Sequence, residues 1–533
     1  MAYYTRYEKL QKYYKDGIAV SPAEYKKGEN LGVAEYSSIE ECQGQPEPPT
    51  PPEPVNYTCC ITWGANNDLN FNFNNNDITT KENPWCTKEK VSKLDFHKSN
   101  SKIESLDITV DETNSISTMN SSFKNLSYLK SVKLNMPKAA SLSDISNMFQ
   151  NSKALTSINF INFDTSNVTT ADSAFRNCSS LTSLDLGNWN TSNLKNANSL
   201  FSGCSSLRTR TLNLSNWNTS NLQSAAFMFA DCRLLTSLDL NNWDTSNLQD
   251  ASEMFADCFN LGTLDLSNWD VSNVKYLNYT FGYCQQLTSL DVSTWNTSNL
   301  QSANRTFNGC RLLTSLDVSN WNTSNLQSAS AMFEYCIKLT SLDLNNWDTS
   351  NLKDASGMFS HCSSLTSLDL GNWNTSNLQS AAEIFVGCKS LTSLNVSNWN
   401  TSNLQNASDM FHNCDSLTSL DVSNWDVSNV TTLEYTFGFC HSLISLDLAN
   451  WNTSNCQDFD FMFCGCENLE TLNLKNFDMS RAISYNLMFS ECNKLKNITC
   501  KQAFKDWCIT NQDAIELPAA MREGGTGTWT IVN

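Results

Sequence analysis

A cysteine recurs along most of this 533-residue chain at a spacing of 26 residues, with a single step of 28. The column contains Cys178, Cys204, Cys232, Cys258, Cys284, Cys310, Cys336, Cys362, Cys388, Cys414, Cys440, Cys466 and Cys492. A phenylalanine precedes each cysteine by three positions, and Phe123 and Phe149 continue that column upstream. A strict period of this length indicates a solenoid, because each unit buries its apolar face only against its neighbours. The sequence therefore predicts a rod of about fifteen stacked units, here called rungs.

Each rung combines a strand-like segment with a segment of helical spacing. In residues 181–186, Leu184 and Leu186 alternate with Ser183 and Asp185, as in a strand with one buried face. Residues 190–193, Asn-Thr-Ser-Asn, predict a turn. The apolar residues that follow are three, four and three positions apart, which predicts a short helical segment: Leu194, Ala197, Phe201 and Cys204. We therefore expect an α/β solenoid with a parallel sheet.

Stacking in register places identical side chains above one another. The asparagine column from Asn167 to Asn455 is expected to bond amide to amide along the axis. The column cysteines are expected to be buried free thiols, because their parallel Cβ directions disfavour disulfides. The pairs considered outside the column are Cys59 with Cys60, Cys464 with Cys466, and Cys500 with Cys508. Two extra residues within 208–211 predict a small bulge that does not break the rod.

The repeat resembles the 26-residue form of the BspA-like leucine-rich-repeat surface proteins of bacteria. Residues 235–248 read LTSLDLNNWDTSNL, followed by Met254, Phe255 and Cys258, and the pattern recurs in almost every rung. The chain departs at one position, where the family's methionine is alanine in most rungs and leucine at Leu277 and Leu433. The resemblance implies a leucine-rich-repeat-type solenoid, capped at both ends, that serves adhesion or recognition. It supplies no catalytic residue, cofactor site or metal site.

Composition favours a binding protein over an enzyme. The chain has 54 acidic and 35 basic residues, so nucleic acid and anionic membrane surfaces are unexpected partners. No stretch has the apolar length of a membrane span, and none of the common nucleotide-binding, metalloprotease or hydrolase motifs is present. A glycan hydrolase, the enzymatic alternative, would need two carboxylates facing each other across a groove. We predict a protein without enzymatic activity, cofactor or metal.

The repeat borders predict five segments. Residues 1–44 are interpreted as a small β-hairpin attachment module, and the proline-rich residues 45–54 as a semi-rigid linker. Residues 55–122 lack the repeat and are expected to cap the first rung. The 26-residue-repeat solenoid occupies residues 123–500. A C-terminal cap is expected over 501–533, with a helix at 501–508 and a final strand at 524–532.

The N-terminal segment suggests which particle carries the rod. Residues 7–17 are interpreted as a strand ending in a turn and residues 24–36 as a second hairpin. This segment resembles the short N-terminal module of tail-associated proteins from phages of gut Bacteroidales. The resemblance implies attachment to other virion proteins. Residues 1–15 lack the apolar stretch of an export signal, which also favours a virion over the alternative location, the bacterial cell surface.

The first candidate binding surface is a column of aspartates on the outer side of the predicted sheet. It includes Asp239, Asp265, Asp291, Asp317 and Asp343. Like charges about 5 Å apart repel each other unless cations, hydroxyl groups or a partner relieve them. The column is therefore interpreted either as a site for a cation, a basic ligand or a sugar, or as carboxylates satisfied by neighbouring serine hydroxyls and solvent.

The second candidate surface is the rim beside the cysteine column, where the rungs differ most. Aromatic and imidazole side chains collect there: Phe259, Tyr283, Tyr335, His361, His412, Phe439 and His441. Such groups suit stacking on sugar rings or anchoring a protein. The alternative is that these are loop positions on which nothing packs. Residues 271–282 are also echoed at 427–438, six rungs later, which segmental duplication explains.

These observations predict a phage tail-associated receptor-binding protein that contacts a glycan or protein receptor on the host surface. The alternatives are a bacterial cell-surface adhesin, a structural virion protein and a tail-borne glycan hydrolase. Association into a homo-oligomer, the identity of the receptor and the binding face are left open by the sequence.

Overall fold

The computed structural model describes strands at 4–7, 12–15, 18–20, 59–64, 69–73, 76–80 and 85–87, then residues 94–96, 103–110, 116–136 and 141–532. The chain divides into two units, Met1–Tyr57 and Thr58–Asn533. In the first unit, strands β1 (Tyr4–Tyr7), β2 (Lys12–Lys15) and β3 (Ile18–Val20) form an antiparallel sheet in that order. The predicted hairpin at 24–36 and the linker at 45–54 lie outside the described residues. The five domain boundaries remain predictions.

The second unit begins with a sheet that changes from antiparallel to parallel. Strands β4 (Cys59–Gly64) and β7 (Trp85–Thr87) pair antiparallel, and β4 pairs in the same way with β9 (Ser105–Val110). Strands β5 (Leu69–Phe73), β6 (Asn76–Thr80) and β8 (Leu94–Asp95) form a second small sheet, in the order β6-β5-β8. A disulfide joins Cys60 to Cys86, which are directly opposite each other in β4 and β7. The proposed pairing of Cys59 with Cys60 is therefore wrong, because the antiparallel register gives Cys60 a partner on another strand.

The predicted strand segment of the repeat forms a parallel wall with gaps. From β9, pairing continues to β10 (Ser131–Asn135) and β11 (Ser157–Ile161). Later rungs contribute short strands, which are β12 (Ser237–Leu238), β13 (Thr263–Leu264), β14 (Ser367–Asp369), β15 (Ser393–Asn395), β16 (Ser445–Asp447), β17 (Thr471–Leu474) and β18 (Asn497–Cys500). Leucines of this wall are buried and the alternating serines and aspartates face outward, as the sequence predicts. The parallel solenoid of about fifteen rungs is confirmed.

The predicted helical segment of each rung is not a helix. A wall of consecutive turns replaces it, here called the turn wall. In one rung, the N–H groups of Ala197, Ser199, Phe201 and Gly203 donate to carbonyl groups of the next rung, while the intervening N–H groups close turns within the rung. A helix would use these groups within its own rung, whereas the turns connect each rung to its neighbour. The solenoid is therefore mostly β, with little helix.

The longest uninterrupted series of parallel β-bridges between rungs lies next to this turn wall. Fifteen residues, one in each rung from Thr118 to Ser484, pair in parallel with the equivalent residue of the next rung. The extra residues near 208 form a 3-10 turn, Thr209–Thr211, while Leu184 still pairs with Leu212 across the longer step. The bulge therefore does not break the stack, as predicted.

Buried columns of identical side chains form the core between the two walls. Adjacent phenylalanine rings stack with centroids 4.8–5.9 Å apart, as in Phe123 with Phe149 and Phe333 with Phe359. The column cysteines are free and buried, as predicted. The prediction that the column asparagines bond amide to amide is wrong, because the acceptor is a backbone carbonyl. Asn247 Nδ2, for example, donates to the backbone carbonyl of Ser220 in the preceding rung, 2.8 Å away, and not to another amide.

The C-terminal end contains the two elements predicted for it. Helix α1 (Gln502–Thr510) buries Phe504 and Cys508, and β19 (Thr528–Ile531) pairs in parallel with β18. Cys500, Cys508, Cys464 and Cys466 are all free thiols. In the part of the chain that the structure describes, no helix has the length and apolar character needed to cross a membrane.

Candidate recognition surface

Two positions in each rung of the turn wall have a left-handed backbone conformation. Counted from the column cysteine, they are position −5 and position −1. Tyr279 and Tyr283, for example, both have a φ of 55°. Non-glycine residues adopt this conformation at a cost, here offset by hydrogen bonds from their N–H groups to the next rung. Because the backbone is fixed and the core does not specify these side chains, the rungs can differ there without disturbing the stack.

The structure places all seven predicted rim residues on this turn wall, and all are half-buried. Four occupy position −1: Tyr283, Tyr335, His361 and Phe439. His412 occupies position −2, and Phe259 and His441 follow their cysteines directly. These residues therefore lie along one side of the rod, from the Cys258 rung to the Cys440 rung.

Several rim residues contact each other along the axis. The rings of Tyr335 and His361 stack with centroids 4.5 Å apart and an angle of 7° between their planes. Burial, followed by the nearby charge of Lys389, lowers the pKa of His361 and favours the neutral form of the stacked imidazole. The guanidinium of Arg233 lies 5.3 Å from the centre of the Phe259 ring. These contacts hold the rings in fixed orientations.

Position −5 carries a second set of rings that the sequence interpretation missed. Tyr435 stacks on His412 at 4.8 Å and on Phe461 at 4.5 Å, and His412 Nδ1 lies 2.9 Å from Asp409 Oδ1. The signal in the sequence was the repeated pairing of a tyrosine at −5 with an aromatic residue at −1. We call the combined set the aromatic band: Phe259, Tyr279, Tyr283, Tyr335, His361, His412, Tyr435, Phe439, His441 and Phe461.

Glycines make room for several rings of the band. A Cβ on Gly282 would lie 2.6 Å from the Tyr279 ring, and a Cβ on Gly309 would lie 3.0 Å from the Tyr283 ring. Gly438 and Gly465 leave the corresponding space for Tyr435 and Phe439. A side chain at any of these glycines would displace the ring against which it lies.

A pocket of about 580 Å³ opens in the band across four consecutive rungs. We call it the tyrosine pocket; its lining residues are Glu253, Asn278, Tyr279, Tyr283, Asn304, Arg305, Asn308 and Glu334. Buried Asn308 donates through Nδ2 to Glu334 Oε2 at 2.6 Å. Burial raises the pKa of Glu334, against the opposing effects of Arg305 and this hydrogen bond. Burial, with the charge of Asp257, also raises the pKa of Glu253.

The aspartate column lies on the strand wall. Its carboxylates accept hydrogen bonds that close turns. Asp265 Oδ1 accepts hydrogen bonds from the N–H of Ser267 at 3.1 Å and from its hydroxyl at 2.7 Å. Equivalent hydrogen bonds occur at Asp291 and Asp317, whereas Asp343 accepts from the N–H of Asn345. The serine hydroxyl, followed by the N–H group, lowers the pKa of Asp265 and of Asp317. These are the hydrogen bonds expected if hydroxyls relieve the repulsion; Asp239 is exposed in the same column. Among the described residues, no three His, Cys, Asp or Glu side chains are arranged to hold a metal ion.

The fold and its columns define a leucine-rich-repeat protein of the BspA-like kind. The family model described as "Mycoplasma protein of unknown function, DUF285" matches seven overlapping stretches, at 89–212, 117–237, 172–292, 226–338, 277–394, 304–420 and 379–507. Because these stretches together span residues 89–507, well over half of the chain, the protein belongs to this family. The description of the family assigns no function.

Solved structures with low sequence identity are similar over long stretches. A leucine-rich repeat protein from Bacteroides ovatus is 16% identical, with 87% of this chain and 98% of that chain covered and a TM-score of 0.42. A leucine-rich cell surface protein from Faecalibacterium prausnitzii is 17% identical, with coverages of 79% and 90% and a TM-score of 0.31. A leucine-rich repeat protein from Eubacterium ventriosum is 13% identical, with coverages of 75% and 90% and a TM-score of 0.29. No curated protein matches the sequence.

Proposed function

We propose that this protein is a non-enzymatic recognition rod that binds a partner on a bacterial surface through the aromatic band. The observation that carries the proposal is the placement of half-buried rings at positions −5 and −1 of the turn wall. Rings with a buried face and an accessible edge are common anchors in binding sites. Side chains at these positions differ from rung to rung, whereas the core columns repeat.

The rigidity of the turn wall supports this role. The backbone N–H of Tyr335 donates to the carbonyl of Ser360 in the next rung, and the N–H of Phe439 donates to that of Cys464. Side chains fixed before binding lose little conformational entropy when a partner docks. We therefore propose the aromatic band as the binding face and a surface glycan as its first candidate partner, with a surface protein as the second.

A cell-binding experiment tests this proposal. Fluorescently labelled full-length protein would be titrated onto intact Bacteroidales cells and onto capsular glycan extracted from them. We expect saturable binding that is lost when the glycan is removed and is weakened by combining Tyr335→Ala with Phe439→Ala. The matched control is Tyr276→Ala, which removes an exposed tyrosine outside the band. Absence of binding to any cell or glycan contradicts the proposal, and release of reducing sugar ends contradicts its non-enzymatic part.

For the carrier of the rod, we propose a phage tail, with the bacterial cell surface as the alternative. Support for the tail comes from the N-terminal resemblance and from the separate antiparallel sheet of β1, β2 and β3. Immunogold labelling of purified phage particles and of uninfected cells would distinguish the two carriers. Label at tail tips supports the tail, whereas label confined to cell envelopes contradicts it and supports the adhesin.

A further inference from the structure

The tyrosine pocket combines ring surface with directed polar groups. Tyr279 and Tyr283 have ring centroids 6.0 Å apart with planes tilted by 55°. Asn278 Oδ1 accepts from the Ser302 hydroxyl at 2.6 Å and from the N–H of Asn304 at 3.0 Å. Because that oxygen is occupied, Asn278 has its Nδ2 group to offer as a donor. Asn304 has the same arrangement, since its Oδ1 accepts from the Ser328 hydroxyl at 2.5 Å and from the N–H of Ser330 at 2.9 Å.

Charged groups complete the lining. Exposed Arg305 is the one cationic side chain among the lining residues, and Glu253 and Glu334 are the two carboxylates. One oxygen of Glu334 is engaged by Asn308, so the other oxygen can accept from a ligand. Planar amide, guanidinium and carboxylate groups suit pairs of hydroxyls, and the tyrosine rings suit the C–H face of a sugar. The excess of carboxylates over cations disfavours a ligand with its own negative charge.

The chain contains a second copy of this site that lacks the arginine and the three amides of the pocket: Glu434, Asp460 and Cys464 replace Asn278, Asn304 and Asn308. The equivalent positions lie 156 residues later, where Tyr435 and Phe439 correspond to Tyr279 and Tyr283. Phe461 stands in place of Arg305 and stacks on Tyr435 at 4.5 Å. Arg305 and Phe461 have φ values of 56° and 57°, so the same backbone accepts either residue. The side chains, and not the backbone, therefore distinguish the two copies: the first has an arginine and amides where the second has a phenylalanine and further carboxylates.

We propose that the tyrosine pocket is a binding site for a short stretch of an uncharged oligosaccharide. The inference rests on the proposed recognition function and names the ligand class and the site for it. Tyr279 and Tyr283 contact the sugar faces. Arg305, Glu334, Asn278 and Asn304 exchange hydrogen bonds with the sugar hydroxyls.

The test uses full-length protein on an array of neutral glucan, mannan and galactan oligosaccharides, with hyaluronan and polygalacturonate oligosaccharides as the acidic set. Arg305→Phe copies the residue of the second site and should weaken binding to the neutral set roughly tenfold or more. Leu487→Phe introduces the same residue at position −5 of a rung far along the chain from the pocket, where φ is also 55°, and should leave binding unchanged. Thermal unfolding of both variants checks that the rod is intact, and Tyr283→Ala provides a second variant of the pocket.

Each outcome separates this inference from the proposed function. Neutral-oligosaccharide binding that is lost in Arg305→Phe and Tyr283→Ala supports the pocket. Equal binding by wild type and both pocket variants overturns it, as does a preference for the acidic set or no binding to the array. If the wild-type protein still binds cells in those cases, the recognition function stands and only this site is wrong. If it binds neither cells nor glycans, the recognition function itself is overturned.

Discussion

The Sγ atom of Cys204 lies 3.1 Å from the carbonyl oxygen of Phe175 in the preceding rung and donates a hydrogen bond to it. The same contact recurs along the column, as from Cys336 to Phe307 at 3.2 Å. In the rung where serine replaces cysteine, Ser152 Oγ donates to the carbonyl oxygen of Phe123 at 2.7 Å. The residue at this position thus fills space in the core and donates a hydrogen bond to the preceding rung.

The loss of unfolding free energy on replacing a column cysteine should therefore depend on whether the new side chain keeps the volume and the hydrogen-bond donor. Cys336→Ser keeps a donor of similar size and should cost less than about 1 kcal/mol of unfolding free energy. Cys336→Ala loses the donor and leaves a small cavity, and should cost about 1–2 kcal/mol. Chemical denaturation of the two variants measures both values. Equal stability of Cys336→Ala and the wild type would show that the column sulfur contributes nothing.

The column thiols should be unreactive in the folded protein. Burial raises the pKa of Cys310 and of Cys388 to about 12, from an ordinary value of 9.0. Iodoacetamide at pH 8 should leave the thirteen column cysteines unlabelled in native protein and label them after unfolding, as read by intact mass. Rapid labelling of native protein would contradict their burial.

The same pKa shift predicts how stability changes with pH. Because the folded pKa is raised, the stabilising effect of the neutral thiols is complete below pH 9. It is lost as the pH rises from 9 to about 12, where unfolded thiols ionise and folded ones do not. The melting temperature should fall across that range. A matched variant with several column cysteines changed to serine should show a smaller decline.

The left-handed backbone at position −5 predicts opposite effects of two substitutions at one residue. Glu383 is exposed and has a φ of 59°. Glu383→Gly should stabilise the rod by roughly 0.5–1 kcal/mol, because glycine adopts this conformation without steric cost. Glu383→Val should destabilise it by about 1 kcal/mol or more, because a β-branched residue is strained there. Urea denaturation of both variants gives the comparison. The reverse order would show that the backbone is not left-handed at this position.

The hydrogen bonds that the aspartate column accepts in its turns can be tested by measuring the pKa values of the aspartates. Ser267→Ala removes the hydroxyl that contributes most to the lowered pKa of Asp265, so that pKa should rise toward its ordinary value. Asp317, which is paired with Ser319, is the internal control and should keep its lowered pKa. Carboxyl NMR titrations measure both groups. Since the folded pKa values are lowered, these hydrogen bonds stabilise the fold above the ordinary pKa of 3.8 and lose that effect as the pH falls through the lowered values.

The period, the number of rungs and the buried columns follow from the sequence alone. Phe, Cys, Trp and Leu recur at fixed positions because each must fit against its own copy in the next rung. The sequence also located α1 and β19, because the local pattern of each is sufficient to predict the element. The seven rim residues of the candidate surface could be selected because they vary where the core columns do not.

That the second wall consists of turns follows from contacts between rungs and not from the sequence pattern. Spacings of three and four residues bring Leu194, Ala197 and Phe201 to one side in a helix and in the observed turns alike. The two differ in the acceptors of the N–H groups, and the acceptors of the turn wall lie about 26 residues away. The left-handed positions, the second column of rings, the tyrosine pocket and the Cys60–Cys86 bond depend on such distant neighbours. Local sequence patterns do not specify contacts of that range, because those contacts form only when the rungs stack.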